Sequence, residues 1–361
     1  MKKIKQKSKS IFTLFFYFVL SFVIASCLSA KGSSDNSAPL WTRNLERSYP
    51  NRDWIAVVAK GDSQQQAEAA AMQALVRIFR TNVESITNAS MQFSQAIDNS
   101  AGSRIISFNE SKNFSQEVQI SSSIRGLIGV QIDVYSSDDG TVHVCARMNR
   151  RECAARYSAM VKENSNVIGT LLAAAAPVRG SLDVYSKLSF AHSIAQVTDN
   201  FQHILEVLDP SAANRKPAYG GANAVKARML EAASLITIGI TLNTEQAADR
   251  ILLTRAIGSF YSDLGFKINE QGNINSVDYI LQVNTRFETI VQNVISCRYF
   301  LNAALSRRGG TAIFSFTEDD RKAHPNNASE ARRLAVQAAE ASFKEGNFAN
   351  EFRIWLNSFL D

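Results

Sequence analysis

The residue whose type and position most clearly predict chemistry is Cys27, which follows a segment typical of export signals. Residues 1–10 carry five lysines and no acidic residue, and the apolar run 11–25 is followed by Ser26 and then Cys27. A positive head, an apolar middle and a small-residue end predict a signal that is removed after export. The thiol directly after that end is therefore our candidate modification site.

The sequence Ile24-Ala25-Ser26-Cys27 resembles the bacterial lipobox, usually Leu-Ala/Ser-Gly/Ala-Cys, where signal peptidase II cuts before a cysteine that carries diacylglycerol. The resemblance implies a signal peptide of residues 1–26 and lipidation, including palmitate, of Cys27. Two or three acyl chains hold a protein firmly on a membrane. Two alternatives stay open: an uncleaved transmembrane anchor over residues 11–28, and ordinary secretion with an incidental cysteine.

The four histidines, His143, His192, His203 and His324, form no pattern typical of a metal or catalytic site. None pairs with a cysteine or carboxylate at zinc-ligand spacing. His192 and His203 are about three helical turns apart and could share a helix face, but two unrelated helix histidines are the simpler interpretation. Nucleophile elbows, phosphate-binding glycine loops and dinucleotide fingerprints are missing. We therefore expect a non-enzyme with no catalytic residues, no cofactor and no metal.

Two charged runs allow a functional interpretation beside a structural one. Residues 318–320, Glu-Asp-Asp, precede Arg321-Lys322 and predict a solvated turn after a strand, with a cation site as the alternative. Arg307-Arg308 precedes two glycines and predicts a hairpin tip, with a contact to a phosphate or an anionic glycan as the alternative.

The charge balance excludes one class of partner. The formal charge of +6 falls to +1 without the five lysines of residues 1–26. A nearly neutral body without arginine and aromatic interleaving predicts no binding of nucleic acid.

Three cysteines follow Cys27, namely Cys145, Cys153 and Cys297. An odd number leaves at least one free thiol in an oxidising compartment. A Cys145–Cys153 disulfide between a strand and the next helix fits the pattern, but separate buried thiols are the favoured interpretation.

The chain divides into a tether, two domains and a helical segment between them. Residues 27–40 hold the acylated cysteine and a flexible, serine-rich tether that spans roughly 20 Å as a coil. Residues 41–165 form the first domain, with a buried strand from Trp54 to Ala59. Ser63 and Gln66 predict a capping box at the start of its first helix.

The first domain continues with a long loop or mobile flap at residues 94–113. Two alternating strands then flank the turn signal Asp139-Gly140, and helix begins at Arg150. Residues 166–210 predict an antiparallel helical hairpin. Pro217 and Gly220-Gly221 indicate the boundary to the second domain.

The second domain, residues 211–361, opens with alternating isoleucines from Ile236, typical of a half-buried strand. Thr244 is the predicted cap of a helix whose apolar face includes Ile251 and Leu252. Gly265-Phe266 predicts its C-terminal stop. Three further strands and two helices complete an α+β fold class: two small α/β sandwich domains joined by a helical hairpin.

The segment 39–210 contains Pro39-x-Trp41, Tyr49-Pro50, the strand Trp54 to Gly61 and an alanine-rich helix after it. In these features it resembles the outer-membrane lipoproteins that share a domain with the flagellar assembly proteins FlgP and FlgT. Ala59 stands where the family has the first glycine of Gly-x-Gly. The resemblance implies assembly of envelope structures by protein contact.

The second domain places the strand Ile236 to Leu242, the helix stop Gly265-Phe266 and the strand start Asp278-Tyr279-Ile280-Leu281 in this order. This order is similar, more weakly, to the sandwich of LpoB, CsgG and the TolB N-terminal domain. We therefore expect a lipoprotein of the cell envelope, anchored at the periplasmic face of the outer membrane because Leu28 follows the anchor cysteine. Its expected partners are the membrane, envelope proteins and further copies of itself, and a regulator of a peptidoglycan synthase or a hydrolytic enzyme are the alternatives.

Overall fold

A computed structural model of the chain describes residues 38–79, 127–175, 180–214, 217–269, 276–292 and 294–360. Cys27, the predicted signal peptide and the predicted loop at residues 94–113 lie outside these ranges. Within them, none of the helices combines the length and the apolar character that crossing a membrane requires.

The described residues of the first half of the chain form a three-stranded antiparallel sheet and six α-helices. Its elements are α1 (Leu40–Arg43), α2 (Leu45–Ser48), β1 (Trp54–Gly61), α3 (Gln64–Phe79), β2 (Gln131–Ser136), β3 (Val142–Asn149), α4 (Arg150–Ala174), α5 (Leu182–Leu208) and α6 (Ala222–Ser234). The strand order is β1-β3-β2. The strand predicted at Trp54 to Ala59 and the turn between β2 and β3 are confirmed, but only Ile55 of the strand is buried and the other residues from Trp54 to Ala59 are half-buried.

The predicted capping box at the start of α3 is also confirmed. The Ser63 hydroxyl accepts a hydrogen bond from the Gln66 N–H at 3.3 Å. The Gln66 side chain accepts one from the Asp62 N–H at 3.1 Å, one residue earlier than a standard capping box. The two bonds satisfy backbone donors that the first turn of a helix leaves free.

Helices α4 and α5 pack against each other as the predicted helical hairpin. The boundary predicted between residues 165 and 166 falls inside α4, which continues from Arg150 to Ala174 without a break. The apolar residues of α5 enter both hydrophobic cores: Phe201 lies in the first, and Leu182 and Tyr185 lie in the second. The helix therefore ties the two halves together.

The second half forms a five-stranded mixed sheet. Its elements are β4 (Thr237–Asn243), α7 (Ala247–Asp263), β5 (Lys267–Asn269), β6 (Tyr279–Val291), β7 (Ile295–Arg307), β8 (Ala312–His324), α8 (Ala328–Lys344) and α9 (Asn347–Asn357). The strand order is β5-β4-β6-β7-β8, with β4 parallel to β5 and β6 and the other pairs antiparallel.

The end of α7 shows the predicted glycine stop. Gly265 has φ +89°, the left-handed region that a residue with a Cβ rarely adopts. Its N–H bonds to the Ser262 carbonyl, and the Phe266 N–H bonds to the Tyr261 carbonyl at 3.0 Å. This pair of bonds is the Schellman motif, and it turns Phe266 back onto the ring of Tyr185 at 4.6 Å.

The predicted start and apolar face of α7 are partly wrong. The helix begins at Ala247, after Gln246 and not after Thr244, whose buried hydroxyl finds no partner within the described residues. Ala256 and Phe260 of the predicted face are buried in the second core, as expected, together with Leu253. Ile251 and Leu252, which were also predicted on that face, are 70% and 45% exposed. The α+β class itself is confirmed.

Candidate functional site: the open face of the second sheet

The two faces of the second sheet differ in what covers them. Helices α7, α8 and α9 pack on one face, where the odd-numbered residues from 279 to 287 in β6 and from 297 to 305 in β7 are buried with Phe314 and Phe316 of β8. The even-numbered residues of β6, such as Gln282, Asn284 and Arg286, point to the other side and are exposed. We call this second side the open face, since no helix of the described chain covers it.

Four side chains cross the open face in register. Asn243 of β4 pairs with Asn284 of β6, Asn284 with Asn302 of β7, and Asn302 with Thr317 of β8. Paired residues point to the same side of a sheet, and neighbouring strands are about 4.8 Å apart. The four residues, which we call the asparagine ladder, therefore form one row about 14 Å long.

The asparagine ladder is exposed and unengaged. All four residues are solvent-exposed, and none of their side chains forms a hydrogen bond within the described part of the chain. They line a groove of about 690 Å³ together with Thr244 and Glu245 of the loop after β4 and with Arg286, Phe300 and Asp319 of the neighbouring row. The groove thus presents free amide and hydroxyl groups on a rigid sheet.

The next row of the open face carries charges that are already paired. Arg286 binds Glu288 at 2.5 Å, and Arg298 binds Asp319 through two hydrogen bonds of 2.7 and 2.5 Å. Both guanidinium groups lie over the ring of Phe300, at 4.9 and 4.5 Å. The hydrogen bonds from Arg298 lower the pKa of the Asp319 carboxyl. This row is therefore locally neutral.

The acidic run at residues 318–320 lies within strand β8, so the predicted solvated turn is wrong. Glu318 points toward the helices, where it accepts hydrogen bonds from Tyr299, from Asn347 at 2.8 Å and from Ser342. The run alternates between the two faces because strand residues do so. Because β8 is an edge strand, its charges also discourage pairing with another chain.

The other residues considered for chemistry are not brought together. His192 forms a hydrogen bond with the Ala222 carbonyl at 3.2 Å. His203, eleven residues after His192 in α5, lies 3.5 Å from the Glu206 carboxylate. Asp278 caps the start of β4 by accepting a hydrogen bond from the Thr237 N–H. In the described ranges, no three histidine, cysteine or carboxylate side chains are grouped to hold a metal ion. Arg307 ends β7 at the predicted hairpin tip.

The three cysteines of the body are free, buried thiols. Cys145 lies in β3 on the same side as Asp133, whereas Cys153 packs in the first core on the opposite side of the sheet, so the two do not form a disulfide. Burial, together with the charge of Asp133, raises the pKa of Cys145 to about 11. Separate thiols, the favoured prediction, are confirmed.

The first sheet holds a polar cluster that joins the N-terminal helices to it. Arg147 of β3 donates hydrogen bonds of 2.9 and 3.2 Å to Asp133 of β2, and the Tyr49 hydroxyl donates one of 2.8 Å to the same carboxylate. The Arg147 guanidinium lies over the rings of Tyr49 and Trp54, at 4.7 and 5.1 Å. We call these four residues the Tyr49 cluster.

The charges of the Tyr49 cluster shift its titration. Burial opposes ionisation of Asp133, but the hydrogen bonds from Arg147 and Tyr49 outweigh it and lower the pKa of the carboxyl. Burial and the neighbouring carboxylate raise the pKa of Tyr49 to about 12. The cluster is therefore a structural contact, in which the ion pair and the phenol hold residues 40–49 against the sheet.

Comparisons with known proteins give weak likenesses. No protein-family model matches the chain, and no curated protein sequence matches it. Lipoprotein GNA1162 from Neisseria meningitidis is 13% identical over 28% of this chain and 94% of its own, with a TM-score of 0.22. A minor lipoprotein from Acinetobacter baumannii is 12% identical over 34% of this chain and 92% of its own, with a TM-score of 0.24.

The secreted protein HP1454 from Helicobacter pylori is 13% identical and covers more of the chain, 80% of this one and 97% of its own, with a TM-score of 0.36. Two of these three bacterial proteins are lipoproteins and the third is secreted. Because every TM-score is below 0.5, the likenesses carry no inference about the function of this chain.

Sequence reasoning did not find the asparagine ladder. Its members are single polar residues in four different strands, at positions 243, 284, 302 and 317. The one usable signal was the alternation within β6, where Gln282 and Asn284 separate buried residues. Which strands lie next to each other, and in what register, has no local signature.

Proposed function

We propose that this protein is a bacterial envelope lipoprotein, held through acylated Cys27 at the periplasmic face of the outer membrane, and that it acts as a non-enzymatic scaffold or assembly factor. The observation that carries the proposal is the open face, an ordered row of exposed, unengaged side chains on a rigid sheet. Such a surface is suited to hold a ligand rather than to transform one, because its neighbouring charges are paired with each other.

The link between membrane and body supports the same proposal. As a flexible tether, the predicted segment 27–40 would span roughly 20 Å between the bilayer and the body. The described chain begins just before α1, and the Tyr49 cluster holds the segment after α1 against the first sheet. The part of the body that directly follows the predicted tether is therefore fixed to the sheet.

The complex that we favour is flagellar or secretion-like, on the resemblance of residues 39–210 to the lipoproteins related to FlgP and FlgT. The alternative is a regulator of a peptidoglycan synthase, on the weaker similarity of the second domain to LpoB. Adding the purified protein to a glycan-polymerising assay tests the alternative, since an unchanged polymerisation rate contradicts it.

Cross-linking in intact cells tests the proposed function. Tagged wild-type protein should capture a reproducible envelope partner and should sediment with outer membranes. The Cys27→Ala variant, which cannot be acylated, should lose both. A strictly monomeric wild-type protein without any partner, in cells whose motility and secretion survive deletion of the gene, would contradict the scaffold.

A further inference from the structure

We propose that the open face binds a neutral, β-1,4-linked glycan chain, the class of polymer that forms the strands of a bacterial cell wall, and that the asparagine ladder supplies the hydrogen bonds. The inference rests on the proposed function, because it names the chemistry of what the scaffold holds. The polar groups, their spacing and the local charge each point to this class of ligand.

The polar groups of the ladder match those of a sugar. A primary amide offers two N–H donors and a carbonyl acceptor, and a threonine hydroxyl both donates and accepts. Sugar hydroxyls likewise donate and accept. Because Asn243, Asn284, Asn302 and Thr317 have no hydrogen-bond partners within the described residues, binding would break no bond of the protein.

The spacing of the ladder matches an extended glycan. Adjacent strands are about 4.8 Å apart, which is close to the length of one pyranose unit in a β-1,4-linked chain. A chain that crosses the strands would therefore place one sugar over each ladder residue. The groove of about 690 Å³ runs along this row and has room for several sugar units.

The charge around the ladder favours a neutral ligand. The row on one side of it, Thr241, Gln282, Ala304 and Ser315, is uncharged. On the other side Arg286 and Arg298 are paired with carboxylates. Arg321, which lies on the same face two rows from the ladder, donates a hydrogen bond to the Ser296 hydroxyl at 2.6 Å, and Glu245 adds a carboxylate to the groove. Among the described residues, a phosphate chain would therefore meet a carboxylate and no unengaged arginine beside the ladder.

A protein partner is the less suitable occupant of this surface. Centres of protein interfaces are enriched in aromatic and apolar residues, and the few residues that dominate binding energy are mostly Trp, Tyr and Arg. The ladder and its uncharged neighbours contain none of these. The aromatic ring nearest to the ladder, Phe300, is already stacked with two arginines.

The test measures binding of the full-length, acylated protein in detergent to chitohexaose, a β-1,4-linked hexamer of N-acetylglucosamine, by calorimetry, and to isolated cell-wall sacculi by co-sedimentation. Maltohexaose, whose α-1,4 linkage curves the chain, is the control ligand. The double variant Asn284→Ala/Asn302→Ala removes the two central amides, and Asn51→Ala removes an exposed amide outside the open face.

We expect saturable binding of chitohexaose and sacculi, no binding of maltohexaose, and about a tenfold or greater loss of affinity in the double variant only. The ladder residues are exposed, so thermal unfolding should be unchanged; a second variant, Thr317→Ala, gives a smaller loss at one end of the row. Equal affinity of wild type and double variant, or wild-type binding to neither glycan, overturns the inference. The proposed function is tested independently by the cross-linking experiment. An envelope partner captured by the wild-type protein supports that function even if no glycan binds, and the absence of a partner contradicts that function even if a glycan does.

Discussion

Removal of the Arg147 guanidinium from the Tyr49 cluster should destabilise the protein measurably. In the Arg147→Met variant the apolar stem of the side chain is kept, but Asp133 loses two hydrogen bonds and keeps only the one from Tyr49. Hydrogen bonds to charged groups contribute about 1.5–3 kcal/mol, and each cation–π contact about 0.5–1 kcal/mol. Since the two charged side chains are 20% and 31% exposed, solvent screening reduces the sum.

We therefore expect Arg147→Met to lower the free energy of unfolding by about 2–3 kcal/mol. The assay is urea unfolding followed by tryptophan fluorescence, which reports on the cluster because Trp54 lies against Arg147. Arg52→Met is the matched control: its contact with Asp53 is 3.4 Å long with 89% of the arginine exposed, so the change should stay within about 0.5 kcal/mol.

A double-mutant cycle isolates the ion pair from other effects of the substitutions. Combined with Asp133→Asn, the Arg147→Met change should show a coupling energy of about 1 kcal/mol or more. The pKa of Asp133 is lower in the folded than in the unfolded protein, so its ionised carboxyl adds to the free energy of unfolding. This contribution is complete above the ordinary carboxyl pKa of about 3.9 and is lost as the pH falls through the lower, folded-state pKa. A coupling energy below about 0.5 kcal/mol at pH 7 would refute the reasoning.

Three further expectations concern the cores. Phe348→Ala removes a fully buried ring from the aromatic cluster of the second core, and the free energy of unfolding should fall by about 3–5 kcal/mol in urea titration; a loss under about 1 kcal/mol would show that this ring is not packed as described. Gly265→Ala should lower the free energy of unfolding by about 1 kcal/mol or more, because φ is +89° and the new Cβ would lie 3.0 Å from the Ala233 Cβ. Gly169→Ala is the control and should be neutral or stabilising, because Gly169 lies within a helix with open space around it. Equal thermal shifts in the two variants would contradict this account. With the other cysteines replaced by alanine, Cys145 should react with a thiol reagent at pH 8 only after unfolding, since burial raises its pKa to about 11; rapid labelling of the native protein would show that the thiol is accessible.

Several elements of the fold were predictable because their signals are local. The capping box of Ser63 and Gln66 acts within one helical turn, and the Gly265-Phe266 stop acts within two residues of the end of α7. The strand Trp54–Gly61 was visible as an apolar run bounded by turn residues. In each case the residues that decide the conformation are neighbours along the chain, so the pattern contains the whole cause.

Predictions failed where burial depends on distant partners. Apolar residues occupy more of the surface of α7 than one face. The packing against β4 and α8 buries Leu253 with the predicted Ala256 and Phe260 and leaves Ile251 and Leu252 exposed. The charged run from Glu318 to Lys322 is unusual for a strand, but on the edge strand β8 Asp319 pairs with Arg298 of β7, and Lys322 pairs with Asp320 of β8 itself. Composition alone could not show that β8 lies at the edge.

By itself, the sequence determined the candidate export and lipidation site at Cys27, the near-neutral body, the α+β class and the helical hairpin, because these follow from composition, from adjacent residues or from periodicity. Only the tertiary structure decided that residues 243, 284, 302 and 317 form one row, and that Tyr49 meets a carboxylate 84 residues away. The physical reason is register: a slip of one residue in any strand moves its side chains to the opposite face of the sheet. Register is set by the packing of the opposite, buried face against α7, α8 and α9, so the row on the open face is a consequence of the core behind it.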